Sequence, residues 1–271
     1  MPAWHDDVIH SELMQREMPY RVLLPQNFDK PSRRFPVLYL LHGLFGSFEN
    51  WTTLADVQSL VPRHQLIIVM PEGGNGWYTD GEKPEDKYES FFLSELIPAI
   101  DRQYPTISAA SARGIAGLSM GGYGAFKFAL KFPALFDFAA SVSGAFEVTR
   151  YSDQFPTREW NEVGPPIRRI FGEAESKTRA DNDLHKIICS LTEIEIANLP
   201  FLYFDCGVDD DFIGANKRFA KRIANVGIRH EFNALSGRHD WEYWNERGRY
   251  LVDLAVERLV KPINAKKMVL A

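Results

Sequence analysis

Five short apolar runs, Val37–Leu41, Leu66–Met70, Gly114–Leu118, Phe138–Val142 and Phe201–Cys206, are each bounded by turn residues. They predict strands buried on both faces, as in a parallel sheet. Between them, Tyr88–Tyr104, Gly121–Phe132, Ile213–Val226 and Trp241–Val260 carry apolar residues three and four apart, the spacing of one helix face. Arg229–Leu235 is a further strand-like run. Strands alternating with helices imply an α/β fold with a mostly parallel, doubly wound sheet. The start of the chain breaks this rhythm: Val8–Leu13 and Tyr20–Leu24 predict an antiparallel pair added at one sheet edge and stopped by Pro25.

Periodicity blurs from Ala145 to Pro200, where Pro156, Pro165-Pro166 and the polar stretch Gly172–Asp183 lie between two clear strands. So long a connection is expected to form a lid or pocket wall over the carboxyl edge of the sheet, the alternative being a pair of ordinary packing helices. No repeat and no Gly/Ser/Pro-rich linker divides the chain, so residues 1–271 are expected to form a single domain, with 145–200 as its insertion.

Composition narrows the classes of function. With 271 residues, 45% of them hydrophobic, the chain has material for a substantial core. A formal net charge of −5, and no basic block longer than Arg33-Arg34 or Lys266-Lys267, argues against a nucleic-acid partner. No run approaches the ~18 consecutive apolar residues of a membrane span, and Met1–Asp7 lacks the basic start and apolar stretch of a secretory signal. A soluble, cytoplasmic protein without membrane partners is expected. Its oligomeric state is not encoded legibly. The two cysteines, Cys189 and Cys206, read as reduced and structural.

Gly117-Leu118-Ser119-Met120-Gly121 matches G-x-S-x-G. Alone, this pattern arises by chance in roughly one chain in ten of this length. Here it follows a predicted strand and opens a predicted helix, the strand–turn–helix setting of the nucleophile elbow in the α/β-hydrolase fold. A serine held at a tight turn exposes its hydroxyl, and the flanking glycines let strand and helix approach. The competing role for Ser119 is an ordinary helix cap.

A serine hydroxyl needs a base to take its proton. In this fold the order along the chain is Ser, acid, His, which leaves His185, His230 and His239. His230 falls in a strand-like run and His185 in the ambiguous excursion. His239 sits on the turn between the last strand and the last helix, where a loop can hang an imidazole over Ser119; its plainer reading is a polar residue near a helix cap. The acid should follow the preceding strand, to hold the reactive tautomer. Asp209, Asp210 and Asp211 compete there; Asp210 is the choice, and sequence alone does not separate neighbours. The acidic triplet lacks the arrangement of a calcium loop, and no H-E-x-x-H occurs, so neither metal nor cofactor is expected.

Acyl transfer also needs donors for the oxyanion. The backbone N–H of Met120 is one candidate and that of Leu44, in the glycine-bearing turn His42–Gly46, the other. His42 reads as a loop-stabilising residue. Trp77 and Tyr78, in the loop after Met70, either line the acyl or alcohol pocket or pack against the insertion.

Taken together these blocks resemble the esterase D-like esterases, a group that includes tributyrin, feruloyl and acetyl-xylan esterases, S-formylglutathione hydrolases and mycolyltransferases. The resemblance covers roughly Pro36–Trp244. It rests on Leu40-Leu41-His42-Gly43 with Asn50-Trp51, on Pro71–Asp80, on Gly117–Gly122, on Asp205-Cys206-Gly207 with its acids, and on His239–Trp244. It implies a carboxylic-ester hydrolase with Ser119, Asp210 and His239 as triad and Leu44 and Met120 as oxyanion donors. Members often carry two glycines before the histidine; this chain has Gly237-Arg238, so Arg238 either crowds the site or binds an anionic substrate group. The leading reading is a serine carboxylesterase acting on short-chain acyl or aryl esters. A thioesterase for S-formylglutathione is disfavoured because such enzymes usually carry a cysteine where this chain has Leu44-Phe45-Gly46. Feruloyl or acetyl-xylan esterase, acyltransferase and non-catalytic binding protein are the remaining alternatives.

Overall fold

The computed structural model describes residues 4–30, 32–60, 64–150 and 160–264. Eight strands form one sheet: β1 Trp4–Ser11, β2 Arg16–Leu23, β3 Val37–Leu41, β4 Ile67–Pro71, β5 Arg113–Leu118, β6 Phe138–Val142, β7 Phe201–Gly207 and β8 Glu231–Leu235. Their spatial order is β1-β2-β4-β3-β5-β6-β7-β8. β1 and β2 run antiparallel to their neighbours, and every pairing from β4 to β8 is parallel. This is the α/β-hydrolase fold. A small antiparallel pair, Arg33–Arg34 with Ile263–Asn264, lies apart from the sheet.

The antiparallel edge begins earlier than the apolar pattern predicts and turns more tightly, with Ser11 opposite Arg16. The polar residues His5, Asp6 and Asp7 conceal β1 because it is an edge strand, largely exposed. Its cross-strand grip is ionic: Asp6 faces Arg21 in the register and accepts from its Nε at 2.6 Å.

Helices α1 Asn50–Thr53, α2 Tyr88–Phe91, α3 Ile97–Gln103, α4 Met120–Lys131, α5 Trp160–Phe171, α6 Lys177–Asp181, α7 Leu184–Ser190, α8 Glu193–Ala197, α9 Ile213–Asn225 and α10 Trp241–Arg258 complete the described residues, with short 3₁₀ turns. The one long helix expected over Tyr88–Tyr104 is interrupted by a π turn, Phe92–Leu96. Pro98 has no N–H to donate back along the helix, so the regular bonding cannot pass through it.

Alternate side chains of the central strands feed two cores. Val37, Tyr39 and Leu41 of β3 pack with Phe92, Phe126, Phe128 and Phe219 on one face. Leu38 and Leu40 pack with Trp51, Leu251, Val252 and Ala255 on the other. Both faces are therefore covered, which is why these strands read as unbroken apolar runs. Between β6 and β7 the chain makes its excursion, in which α5 to α8 are described and residues 151–159 lie outside the description. Among the described residues no helix is long and apolar enough to cross a membrane.

Candidate active site

Ser119 stands between β5 and α4 with φ +52° and ψ −115°, a left-handed backbone that a side chain rarely adopts. The glycines around it make the turn sterically accessible. A Cβ on Gly117 would lie 2.5 Å from the carbonyl carbon of Gly121, and one on Gly121 would lie 2.5 Å from the carbonyl oxygen of Leu41. Strand, turn and helix therefore close to backbone contact.

His239 lies on the turn between β8 and α10, and its Nε2 is 3.2 Å from the Ser119 Oγ. Its Nδ1 is 3.0 Å from Oδ2 of Asp210. An ionised carboxylate only accepts, so the proton sits on Nδ1 and leaves Nε2 as acceptor for the serine hydroxyl. Edge-on contacts with Phe212 at 4.8 Å and Trp244 at 4.7 Å hold the ring. Asp210, buried on the turn after β7, also accepts from the Phe212 N–H at 2.8 Å. Burial works to raise its carboxyl. The bond and charge interaction with His239, the Phe212 amide and the Ser143 side chain together outweigh burial and hold it below the usual carboxylate range. Asp209 and Asp211 are exposed. Of the other downstream histidines, His185 is buried beside Glu147 and His230 stacks on Phe204, each away from Ser119.

His42 is buried, and its contacts aim a peptide group. Gly73 N–H donates to Nε2 at 2.9 Å, so the ring proton is on Nδ1, which donates to the Gly43 carbonyl at 2.7 Å. Gly46 N–H donates to the same carbonyl at 3.1 Å. The peptide joining Gly43 to Leu44 is trans, so pinning its oxygen turns the Leu44 N–H the opposite way. A Cβ on Gly43 would lie 3.5 Å from the Ser119 Cβ, which sets this loop beside the nucleophile. The amide of Met120 opens α4 as one of the donors a helix leaves unpaired at its start. Neither of these two amides has an acceptor among the described residues.

A cavity of about 830 Å³ opens over Ser119 and His239. Trp77, Leu118, Phe212, Trp241 and Trp244 make its walls largely apolar, Val163 and Ile167 of α5 close another side, Leu44 and Phe45 reach it from the β3 loop, and Asp211 and Arg218 add charge to the lining. Neither Tyr78 nor Arg238 is among the described residues lining it. Tyr78 is buried against Gly73 and Gly124 and donates its hydroxyl to the His42 carbonyl at 3.1 Å. Successive positive φ values, +52° at Trp77 and +51° at Tyr78, send the two rings apart. Arg238 is exposed. The expected lid or pocket wall over 145–200 left its wall residues unnamed, and those of α9 and α10 are not marked in the sequence, because the same aromatic and aliphatic spacing serves a core equally well. Cys189 is exposed, Cys206 is buried in β7, and both are free thiols.

Fold, elbow and apolar cavity together define an α/β-hydrolase. Residues 11–247 match the family described as "Putative esterase", and the chain belongs to that family. It is 28% identical over 253 residues to an acetyl esterase of Caldicellulosiruptor saccharolyticus, covering 88% of this chain and 92% of that one. A solved ferulic acid esterase superposes with a TM-score of 0.79 at 27% identity, over 94% of this chain and 98% of the other. An S-formylglutathione hydrolase from Staphylococcus aureus has the same fold, with a TM-score of 0.77 at 23% identity and the same coverage. The protein is a carboxylic-ester hydrolase, of the serine-esterase type.

Proposed function

We propose that the protein hydrolyses short-chain acyl or aryl carboxylic esters through an acyl-enzyme, with Ser119 as nucleophile, His239 as base and Asp210 as the acid that orients it. One observation carries the reading: an unbroken line of contacts from Ser119 through His239 to Asp210 that opens onto a largely apolar cavity. His239 Nε2 takes the Ser119 proton as Oγ attacks the ester carbonyl carbon. The oxyanion is held by the Leu44 and Met120 amides. The imidazolium then passes its proton to the leaving alcohol oxygen, and the ester C–O bond breaks. Water repeats the cycle: His239 takes its proton, the hydroxide attacks the acyl carbon, and the proton returns to Ser119 as the acid leaves.

The apolar walls, with the side chains of Val163 and Ile167, support an aryl or short alkyl acid, and the same two residues support a pocket-wall role for α5 within the segment 145–200. Relatives named as acetyl esterase and ferulic acid esterase point to the same range. The test is Ser119→Ala with p-nitrophenyl acetate, followed by a panel of acetyl, butyryl, feruloyl and formyl-thioester compounds. Turnover is expected to fall by about six orders of magnitude. Unchanged turnover would refute the assignment, and a preference for the thioester would replace the substrate class.

A further inference from the structure

Beneath the turn that carries His239 lies a buried polar knot centred on Asp205 of β7, whose side chain is wholly buried. Its Oδ1 accepts from the Tyr243 hydroxyl at 2.8 Å. Its Oδ2 accepts from the Tyr203 hydroxyl at 2.8 Å and from Arg247 Nε at 2.9 Å. Arg247 Nη2 closes the ring onto the Tyr203 oxygen at 2.7 Å. A carboxylate is retained in so dry a place only with its partners complete, and an apolar residue would have served packing alone.

What those partners share is their address. Tyr243 and Arg247 are one turn apart on α10, which begins two residues after His239. The Tyr243 ring fills the space at Gly237, where a Cβ would come within 2.2 Å of its Cδ2, and Gly237 holds φ +145°. The next residue, Trp244, meets the His239 ring edge-on and donates its indole N–H to Ser143 Oγ at 3.2 Å. The Ser143 N–H in turn donates to the backbone oxygen of Asp205 at 2.8 Å. The Asp205 carboxylate thus fixes Tyr243 beside the 237–240 turn, while its main-chain oxygen, which any residue would supply, holds Ser143 and through it Trp244.

We propose that Asp205 is a positioning residue for His239, acting through Tyr243 and Arg247; the inference rests on the triad reading above. Angular freedom at the imidazole degrades the alignment of Nε2 with the serine hydroxyl without altering the cavity that binds substrate. The effect belongs in kcat and not in KM.

Tyr243→Phe removes one hydroxyl and keeps the ring, so it separates positioning from packing. Arg247→Lys and Asp205→Asn extend the series, and Tyr243→Phe decides if Asp205→Asn does not fold. In the full chain, Tyr243→Phe is expected to lower kcat for p-nitrophenyl acetate by about tenfold or more with KM within about twofold. The far-downfield proton resonance of the His239–Asp210 hydrogen bond is expected to broaden in parallel. A variant whose kcat and resonance match the parent, with or without a lower melting temperature, would overturn the proposal, as would a change confined to KM. Ser119→Ala in the same assay keeps the two readings apart. Its full activity removes the triad itself, whereas its inactivity beside an unaffected Tyr243→Phe removes only the role of Asp205.

Discussion

Lys127 on α4 donates its Nζ to the carbonyl oxygen of Tyr78 at 2.5 Å, tying the helix behind the nucleophile to the loop that carries Trp77. It also reaches Thr79 Oγ1 at 2.9 Å and Glu89 Oε2 at 2.6 Å. Burial lowers its amine to about 8 despite the Glu89 carboxylate. An amine depressed in the fold below its unfolded value of about 10.4 gives stability that is fully present above the unfolded value and is lost as pH falls through about 8. The difference in unfolding free energy between the parent and Lys127→Met is therefore expected to move in favour of the parent from pH 8 to pH 10. Denaturant titrations at several pH values check this, and a difference independent of pH would contradict it.

The choice among three neighbouring acids has a direct test. Asp210→Asn is expected to reduce kcat by about four orders of magnitude, because an amide no longer holds the reactive tautomer. Asp209→Asn, at an exposed position outside the cavity lining, should stay within about twofold, and Asp211→Asn, exposed on the cavity wall, should cost far less than Asp210→Asn. Equal small losses at all three would place the acid elsewhere.

His42 has no predicted contact with substrate, yet it pins the carbonyl that turns the Leu44 amide. His42→Ala is expected to lower kcat about ten- to a hundredfold with KM little changed. A rise in KM at constant kcat would mean that the loop shapes binding and not the oxyanion site.

Val163 faces the cavity from α5. Val163→Trp is expected to lower kcat/KM for a naphthyl or feruloyl ester by about tenfold while leaving p-nitrophenyl acetate within about twofold. Parallel loss on both substrates would show that the wall supports folding and not selectivity.

The parallel strands were legible because burial on both faces leaves them uniformly apolar, and the elbow because a strand and a helix flank Gly117–Gly121 as the serine requires. β1 was half hidden, since an edge strand satisfies its exposed face with Asp6 and Asp7. Trp77 and Tyr78 could not be told apart: what separates them is a pair of left-handed backbone angles, which neither residue type advertises. Asp205 was hidden for the opposite reason. It sits inside an apolar run, and its partners Tyr243 and Arg247 are distant in the chain, so its block supports the resemblance while nothing local assigns the residue a role.

The long excursion leaves after Val142, at the carboxyl end of β6, and returns at Phe201, which pairs with Phe138 at the opposite end of that parallel neighbour. Its two stems therefore stand about a strand's length apart, roughly 14 Å at ~3.3 Å per residue, so the segment has to cross the sheet from one edge to the other. Part of the segment is thus the crossover that lets β7 lie parallel to β6, and any exchange meant to rewrite selectivity has to preserve that span if the hydroxyl, imidazole and carboxylate are to keep their places.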